Sequence, residues 1–279
     1  MSILLFDSGI GGLSVLREVR VMLPGRRIVY VGDDAGFPYG EWEEEALIPR
    51  VVALFERCLE AYDPELAIVA CNTASTLIMP ALRERFSIPI VGTVPPIKPA
   101  TLRTASGLVS VLATPGTVTR PYTLDLVKRF SRDATVKLVG STGLARLAEQ
   151  HMQGETIDRH KLRGELMPCF VQQGSRHTDI IVLGCTHYPF LVHEMRKLAP
   201  WPVDWIEPAE AIARRVLALI GPVPPSDPRE RMADIALMTA GPPSGPMARL
   251  LAGFGLVPAD RPFRPLEAPE RAVPASGTG

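Results

Sequence analysis

Short apolar runs, each ending in small or polar residues and followed by a stretch of helical periodicity, recur along this chain: Ile3 to Phe6, Ile28 to Val31, Leu66 to Ala70 and Ile88 to Val91. That alternation restricts the fold to βαβ units, because a helix is what carries the chain from the end of one strand to the start of a parallel neighbour. After the first run, Ile10, Leu13, Leu16, Val19 and Leu23 recur at helical spacing while Arg17, Glu18 and Arg20 stay polar, the pattern of a helix packed on a sheet. A second series follows Pro95-Pro96, with Leu108 to Ala113, Val136 to Val139, Ile180 to Leu183 and Val203 to Ile206. Paired prolines interrupt regular structure, so a domain crossing is expected there. The helical pattern Ala209 to Ile220 and the run Ile235 to Met238 are expected to return the chain to the first domain.

The expected architecture is therefore α/β, with two pseudo-symmetric doubly wound parallel-sheet domains and the active site in the cleft between them. Residues 1–95 plus about 208–257 form the N-terminal domain carrying Cys71, and 96–207 form the second, carrying Cys185. Residues 258–279, rich in Pro, Gly, Ala and Arg, read as a flexible tail. A chain of 279 residues is long enough for two cores.

Charge narrows the partners. Thirty basic residues balance thirty acidic ones, so nothing favours nucleic acid or an acidic membrane surface, and small substrates fit better. The start, Met1 to Asp7, has no basic segment, and its apolar run is too short for a signal peptide or a membrane span. A cytoplasmic location is expected. The four cysteines, at 58, 71, 169 and 185, form no CxxC pair, and in a reducing compartment each reads as a thiol.

The two halves match where chemistry is expected. Leu66-Ala-Ile-Val-Ala-Cys71-Asn-Thr-Ala-Ser75 is an apolar strand ending in a cysteine with hydroxyl and amide neighbours, and so is Asp179-Ile-Ile-Val-Leu-Gly-Cys185-Thr-His187. Leu4-Leu-Phe-Asp7-Ser-Gly likewise matches Val111-Leu-Ala-Thr114-Pro-Gly. Two similarities in the same order suggest duplication. Ligands in open α/β sheets bind at the carboxyl ends of strands, so the two cysteines are expected on opposite walls of one cleft.

Two opposed thiols suit one reaction in particular. The α-proton of an amino acid is weakly acidic, and its inversion needs a base on one face of the carbon, an acid on the other, and stabilisation of the carbanion between them. A free thiol titrates near pH ~8.5 and is brought lower by helix N-termini and cationic neighbours. Asn72, Thr73, Ser75, Thr186 and backbone amides at helix starts are candidates to hold substrate carboxylates. Asp7 and His187 are the ionisable residues nearest the thiols in sequence; their plainer readings are a helix cap and a backbone-bonded imidazole. Cys58 shares a helical face with Val51, Leu54, Phe55 and Tyr62 and reads as core, as does Cys169. No second close pair of ligands accompanies Cys185 and His187, so a metal site is not expected. Tyr39-Gly40 ends a turn-rich loop that begins at Asp33. Gly9-Ile-Gly11-Gly-Leu-Ser14, with Asp33 about twenty residues on, approaches the dinucleotide-binding pattern. Ser14 replaces its third glycine, however, and Asp7 would place a carboxylate beside the pyrophosphate.

With Phe6-Asp7-Ser8-Gly9-Ile-Gly-Gly, Pro38-Tyr39-Gly40, Ala70-Cys71-Asn72-Thr73-Ala74-Ser75 and Gly184-Cys185-Thr186-His187-Tyr188-Pro189 assembled, the chain from about Ile3 to Leu219 resembles the glutamate racemases of the aspartate/glutamate racemase superfamily. The resemblance implies a two-domain enzyme without pyridoxal phosphate, metal or other cofactor. It would interconvert L- and D-glutamate and supply D-glutamate for bacterial peptidoglycan. Cys71 and Cys185 would exchange the proton, assisted by Asp7 and His187 respectively. Asp7, Ser8, Tyr39, Gly40, Asn72, Thr73, Thr114, Thr117, Thr186 and His187 would line the substrate pocket. Where relatives carry a Cys-Pro-like pair and then a glutamate, this chain has Ser141-Thr142, with Glu149 the counterpart as an assisting residue. The chain begins almost at the Asp-Ser-Gly motif, so the N-terminal extension with which some relatives bind a cell-wall precursor as activator is expected to be absent. A homodimer is also implied. Racemases of aspartate or hydantoins are the nearest variants. A binding protein that kept the fold and lost turnover is the alternative of a different class.

Overall fold

In the computed structural model, which describes residues 2–223 and 232–259, the apolar runs form parallel strands. β1 (Ser2–Asp7), α1 (Leu13–Met22), β2 (Arg27–Gly32), α2 (Glu44–Tyr62), β3 (Leu66–Val69), α3 (Asn72–Arg85) and β4 (Ile90–Gly92) come first. The second series is α4 (Ile97–Arg103), β5 (Leu108–Ala113), α5 (Pro115–Val118), α6 (Pro121–Phe130), β6 (Thr135–Gly140), α7 (Leu144–Met152) and α8 (Arg159–Leu166). It continues through a small antiparallel pair, β7 (Gln172–Gln173) and β8 (Arg176–His177), to β9 (Ile180–Gly184), α9 (Val192–Leu198) and β10 (Asp204–Ile206). The chain closes with α10 (Ala209–Ile220), β11 (Ile235–Met238), α11 (Gly245–Gly253) and β12 (Val257–Pro258). One sheet runs β12-β11-β2-β1-β3-β4 and the other β10-β9-β5-β6, so the chain changes sheets across the Pro95-Pro96 segment and returns with β11.

Both faces of the central strands are covered, which is why they read as continuous apolar runs rather than alternating ones. In the first sheet Ile3, Leu5, Ile28, Tyr30 and Ile68 meet Leu13, Leu16 and Val19 of α1 and Ile212 and Val216 of α10. Leu4, Phe6, Val29, Val31 and Val69 turn the other way onto Val51, Leu54, Phe55 and Cys58 of α2 and Ile78 and Leu82 of α3. The second sheet repeats the arrangement. Val109, Val111 and Val182 face Ile97 and Ala100 of α4, and Leu112, Ile181 and Leu183 face Leu144 and Ala148 of α7 and Leu162 of α8. Cys58 and Cys169 lie fully inside these cores, as their apolar surroundings predict.

The matched segments are matched strands. β1 is flanked by β2 on one side and β3 on the other; β5 is flanked by β6 and β9 in the same way. Each sheet therefore has a topological switch point beside its first strand, between β1 and β3 and between β5 and β9, where strand ends diverge and leave a crevice. Asp7 and Cys71 stand at the carboxyl ends bordering one crevice, Thr114 and Cys185 at those bordering the other. One boundary differs from the sequence reading: Val257 and Pro258 pair with Ile235 and Ala236 as an edge strand, so the ordered chain extends past 257. Proline is tolerated there because an edge leaves one row of N–H groups unused. The rest of the expected tail, 260–279, lies outside the described residues.

Candidate active site

Cys71 ends β3 and opens α3. As the N-cap of that helix its sulfur accepts the Ala74 N–H at 3.5 Å, and its thiol lies 3.7 Å from Ser8 Oγ, to which it donates. The residue is 6% exposed. Burial, reinforced by the Asp7 carboxylate and opposed by the Ala74 amide, pushes its pKa up to about 12, so the thiol is protonated at neutral pH. The Cys185 side chain adds to the same rise. Asp7, fully buried, accepts the Gly9 N–H at 3.0 Å and the Thr186 hydroxyl at 2.9 Å. Burial raises its pKa against the lowering effect of His187 and the Thr186 bond.

On the opposite wall Cys185 follows β9 at 7% exposure, with its sulfur 3.8 Å from His187 Nδ1. The other ring nitrogen, Nε2, lies 2.9 Å from Glu149 Oε1 on α7. Burial works against a charged ring, but hydrogen bonding to Cys185 and then to Glu149 outweighs it, and the His187 pKa stands well above the ordinary value. The ring thus sits between a sulfur and a carboxylate, a setting that favours its protonated form. Glu149 Oε1 also accepts the Ile10 N–H of the first lobe at 2.9 Å.

The glycine-rich turn after β1 is filled by protein. A Cβ on Gly9 would stand 2.2 Å from Glu149 Oε1, and one on Gly11 would stand 2.4 Å from Thr186 Oγ1 and 2.5 Å from His187 Nδ1. These glycines let the backbone meet the Cys185-Thr186-His187 turn of the other lobe, in the space a pyrophosphate would need.

The remaining expected residues divide into two groups. Asn72, 2% exposed, has no partner for either side-chain amide atom, an arrangement that a ligand can satisfy. Thr73 Oγ1 lies 2.9 Å from Thr114 Oγ1 and 3.3 Å from Thr117 Oγ1, a cluster of three hydroxyls spanning the cleft. Gly40 faces Thr114, 3.5 Å from where its Cβ would be. Tyr39 is different: its hydroxyl donates to Asp33 Oδ2 at 2.6 Å and is turned into the first lobe. Asp33 also accepts Arg50 Nε at 2.7 Å, Arg50 Nη2 at 2.5 Å and the Thr239 hydroxyl at 2.5 Å. This buried bidentate pair fastens the loop from Asp34 to Gly40. Sequence reading missed it, because an arginine 17 residues away carries no mark of its partner. Beyond Gly40, Glu41 meets Arg146 at 2.7 Å, and Glu44 pairs with Arg120 across the mouth of the cleft.

A family model described as Asp/Glu/Hydantoin racemase matches residues 14–216 of this chain. Glutamate racemases from Brucella ovis and Brucella anthropi are 56% and 57% identical to it over 255 residues, spanning 91% of this chain and 92% of each relative. Among solved structures, Escherichia coli glutamate racemase in complex with L-glutamate and the activator UDP-MurNAc-Ala superposes with a TM-score of 0.84 at 40% identity, covering 92% of this chain and 96% of that one. Glutamate racemase from Aquifex pyrophilus superposes with a TM-score of 0.66 at 27% identity, covering 91% and 94%.

Proposed function

The chain belongs to the Asp/Glu/Hydantoin racemase family, and from that premise we propose that it interconverts L- and D-glutamate by proton transfer between the α-carbon and two thiols, without a cofactor. The observation that carries this reading is the pair of buried cysteines at equivalent strand ends, Cys71 bonded to Ser8 within the influence of the Asp7 carboxylate and Cys185 in contact with His187. Cys71, kept protonated, is the acid in the unliganded state. Cys185, whose sulfur lies beside His187 Nδ1, is the base. The α-proton passes to the Cys185 sulfur, leaving a carbanion. The Cys71 proton is then delivered to the opposite face, leaving a Cys71 thiolate and an inverted centre. The reverse passage uses the thiols in exchanged roles, so proton count is conserved in either direction.

Asn72 and the hydroxyls of Thr73, Thr114 and Thr117 are the groups for the substrate carboxylates, with Ser8, Gly40 and Thr186 beside them, the Thr186 hydroxyl being donated to Asp7. Tyr39 contributes its ring and backbone, since its hydroxyl is committed to Asp33. Glu149 holds the His187 ring. Glutamate is favoured over aspartate or hydantoins by the names of the relatives and by the L-glutamate bound in the Escherichia coli structure. The two domains of the reading are 1–95 with about 208–257, and 96–207. The wider reading is a cytoplasmic homodimer supplying D-glutamate for peptidoglycan. Among the described residues no helix is long and apolar enough to cross a membrane.

The test is chiral chromatography of purified, reduced protein given L-glutamate and, separately, D-glutamate in heavy water with no added cofactor. Interconversion in both directions with one solvent deuterium at the α-carbon is the expected result. No turnover of glutamate, with turnover of aspartate or a hydantoin, would move the substrate assignment. No turnover of any of them would favour a binding protein that has lost catalysis.

A further inference from the structure

The turn that carries Cys185 has a gap in its hydrogen bonding. Tyr188 N–H donates to the Cys185 carbonyl at 3.2 Å and Phe190 N–H to the His187 carbonyl at 3.2 Å. The bond between these two, from residue 189 to the Thr186 carbonyl, cannot form because residue 189 is proline and has no N–H. Thr186 is buried, and a buried carbonyl without a donor carries a desolvation cost. The donor comes from the other lobe: the single hydroxyl proton of Ser14, on α1, is shared between the Thr186 carbonyl oxygen at 3.0 Å and the Gly11 carbonyl oxygen at 2.8 Å. Ser14 is itself only 3% exposed, so water does not compete for the bond. Asp7 holds the same residue by its hydroxyl. The backbone immediately after the Cys185 thiol is therefore held by the first lobe, at a site where Pro189 has removed the local alternative.

We propose that Ser14 is a positioning residue for the Cys185 thiol, acting across the cleft through the Thr186 carbonyl, and that Pro189 creates the dependence. This rests on the reading of Cys185 as one of the two acid/base groups. It also gives a function to the serine standing where a dinucleotide loop would have its third glycine. A glycine there would leave the Thr186 carbonyl without its partner.

The experiment compares the wild-type protein with Ser14→Ala, Pro189→Ala and the double variant, after thermal unfolding has established that each is folded. Two readouts are taken: alkylation rates of Cys71 and Cys185 by iodoacetamide, resolved by peptide mass mapping, and kcat and KM for glutamate. In Ser14→Ala the Cys185 rate is expected to change by about threefold or more while the Cys71 rate holds within about twofold, and kcat is expected to fall roughly tenfold, the scale of one lost buried hydrogen bond, with KM moving less. Pro189→Ala restores an N–H opposite the Thr186 carbonyl, so adding Ser14→Ala to it is expected to cost less than about threefold. Equal shifts at both thiols, or no shift at either, would overturn the proposal, and so would effects that simply multiply in the double variant. If Pro189→Ala does not fold, the alkylation ratio in Ser14→Ala still decides. If the wild-type protein racemises nothing, the functional reading fails while the alkylation comparison still judges Ser14.

Discussion

Cys71 sits protonated behind Asp7 and Ser8, whereas Cys185 faces the His187 ring. Serine at either position keeps the size but not an acidity usable near neutral pH. Cys71→Ser and Cys185→Ser are each expected to lower racemisation by roughly 10²- to 10⁴-fold, with circular dichroism unchanged. Near-normal turnover by either variant would remove that thiol from the reaction. Glu149 sets a different test. Its carboxylate is among the groups that raise the His187 pKa against burial, so Glu149→Gln should let the ring lose its proton at lower pH. A group whose folded pKa is raised stabilises the folded state below its unfolded pKa and loses that contribution as pH climbs through the folded value. In the glutamine variant that contribution is smaller and is gone at a lower pH, and the alkaline limb of the kcat profile moves toward lower pH. NMR titration of the imidazole alongside the rate profile checks both shifts.

Between β1 and α1 the Gly9 to Ser14 turn is where a local pattern admitted two readings. From sequence it approached a phosphate-binding loop; in three dimensions the same glycines admit Glu149, Thr186 and His187 at distances no Cβ would allow. Gly11→Ala is accordingly expected to hold the lobes apart and lower kcat/KM by roughly a hundredfold or more, the scale of a one-ångström misplacement. Its unfolding transition should stay close to the wild type. Small-angle scattering read beside the rate would reveal the displacement, and an alanine variant with full activity would deny the contact. This turn also marks what sequence could convey. The strands and the paired cysteines were legible because burial on both faces and a repeated strand end leave marks in adjacent residues. Asp33 with Arg50, Glu149 with His187, and Ser14 with Thr186 were not, because each bond joins positions whose separation is set by the fold rather than by a period. β12 escaped for another reason: a two-residue edge strand ending in proline carries almost no apolar signal.

Across the whole molecule, burial of thiols leaves a signature in the pH dependence of stability. Cys58 and Cys169, inside the two lobes, have pKa values pushed by burial from 9.0 up to about 12, and Cys71 shares the shift. Each raised value favours the neutral thiol in the folded state, so stability is fully present below pH 9.0 and drains away between there and about 12. Denaturant midpoints measured across that window should fall, and a Cys58→Ala, Cys169→Ala variant should start lower but fall less. An identical slope in the variant would show that other groups govern alkaline unfolding.

The route of the chain has a further consequence. β11 pairs with β2, and α10 packs against α1, so the lobe that begins at residue 2 is completed only by residues beyond 208. The sheet of β5, β6, β9 and β10 is made from one uninterrupted stretch. On the ribosome the usual order, in which the first segment made is the first to fold, is therefore reversed. The middle of the polypeptide can settle while its beginning waits with an uncovered sheet face, and the cleft closes only as the last helices emerge.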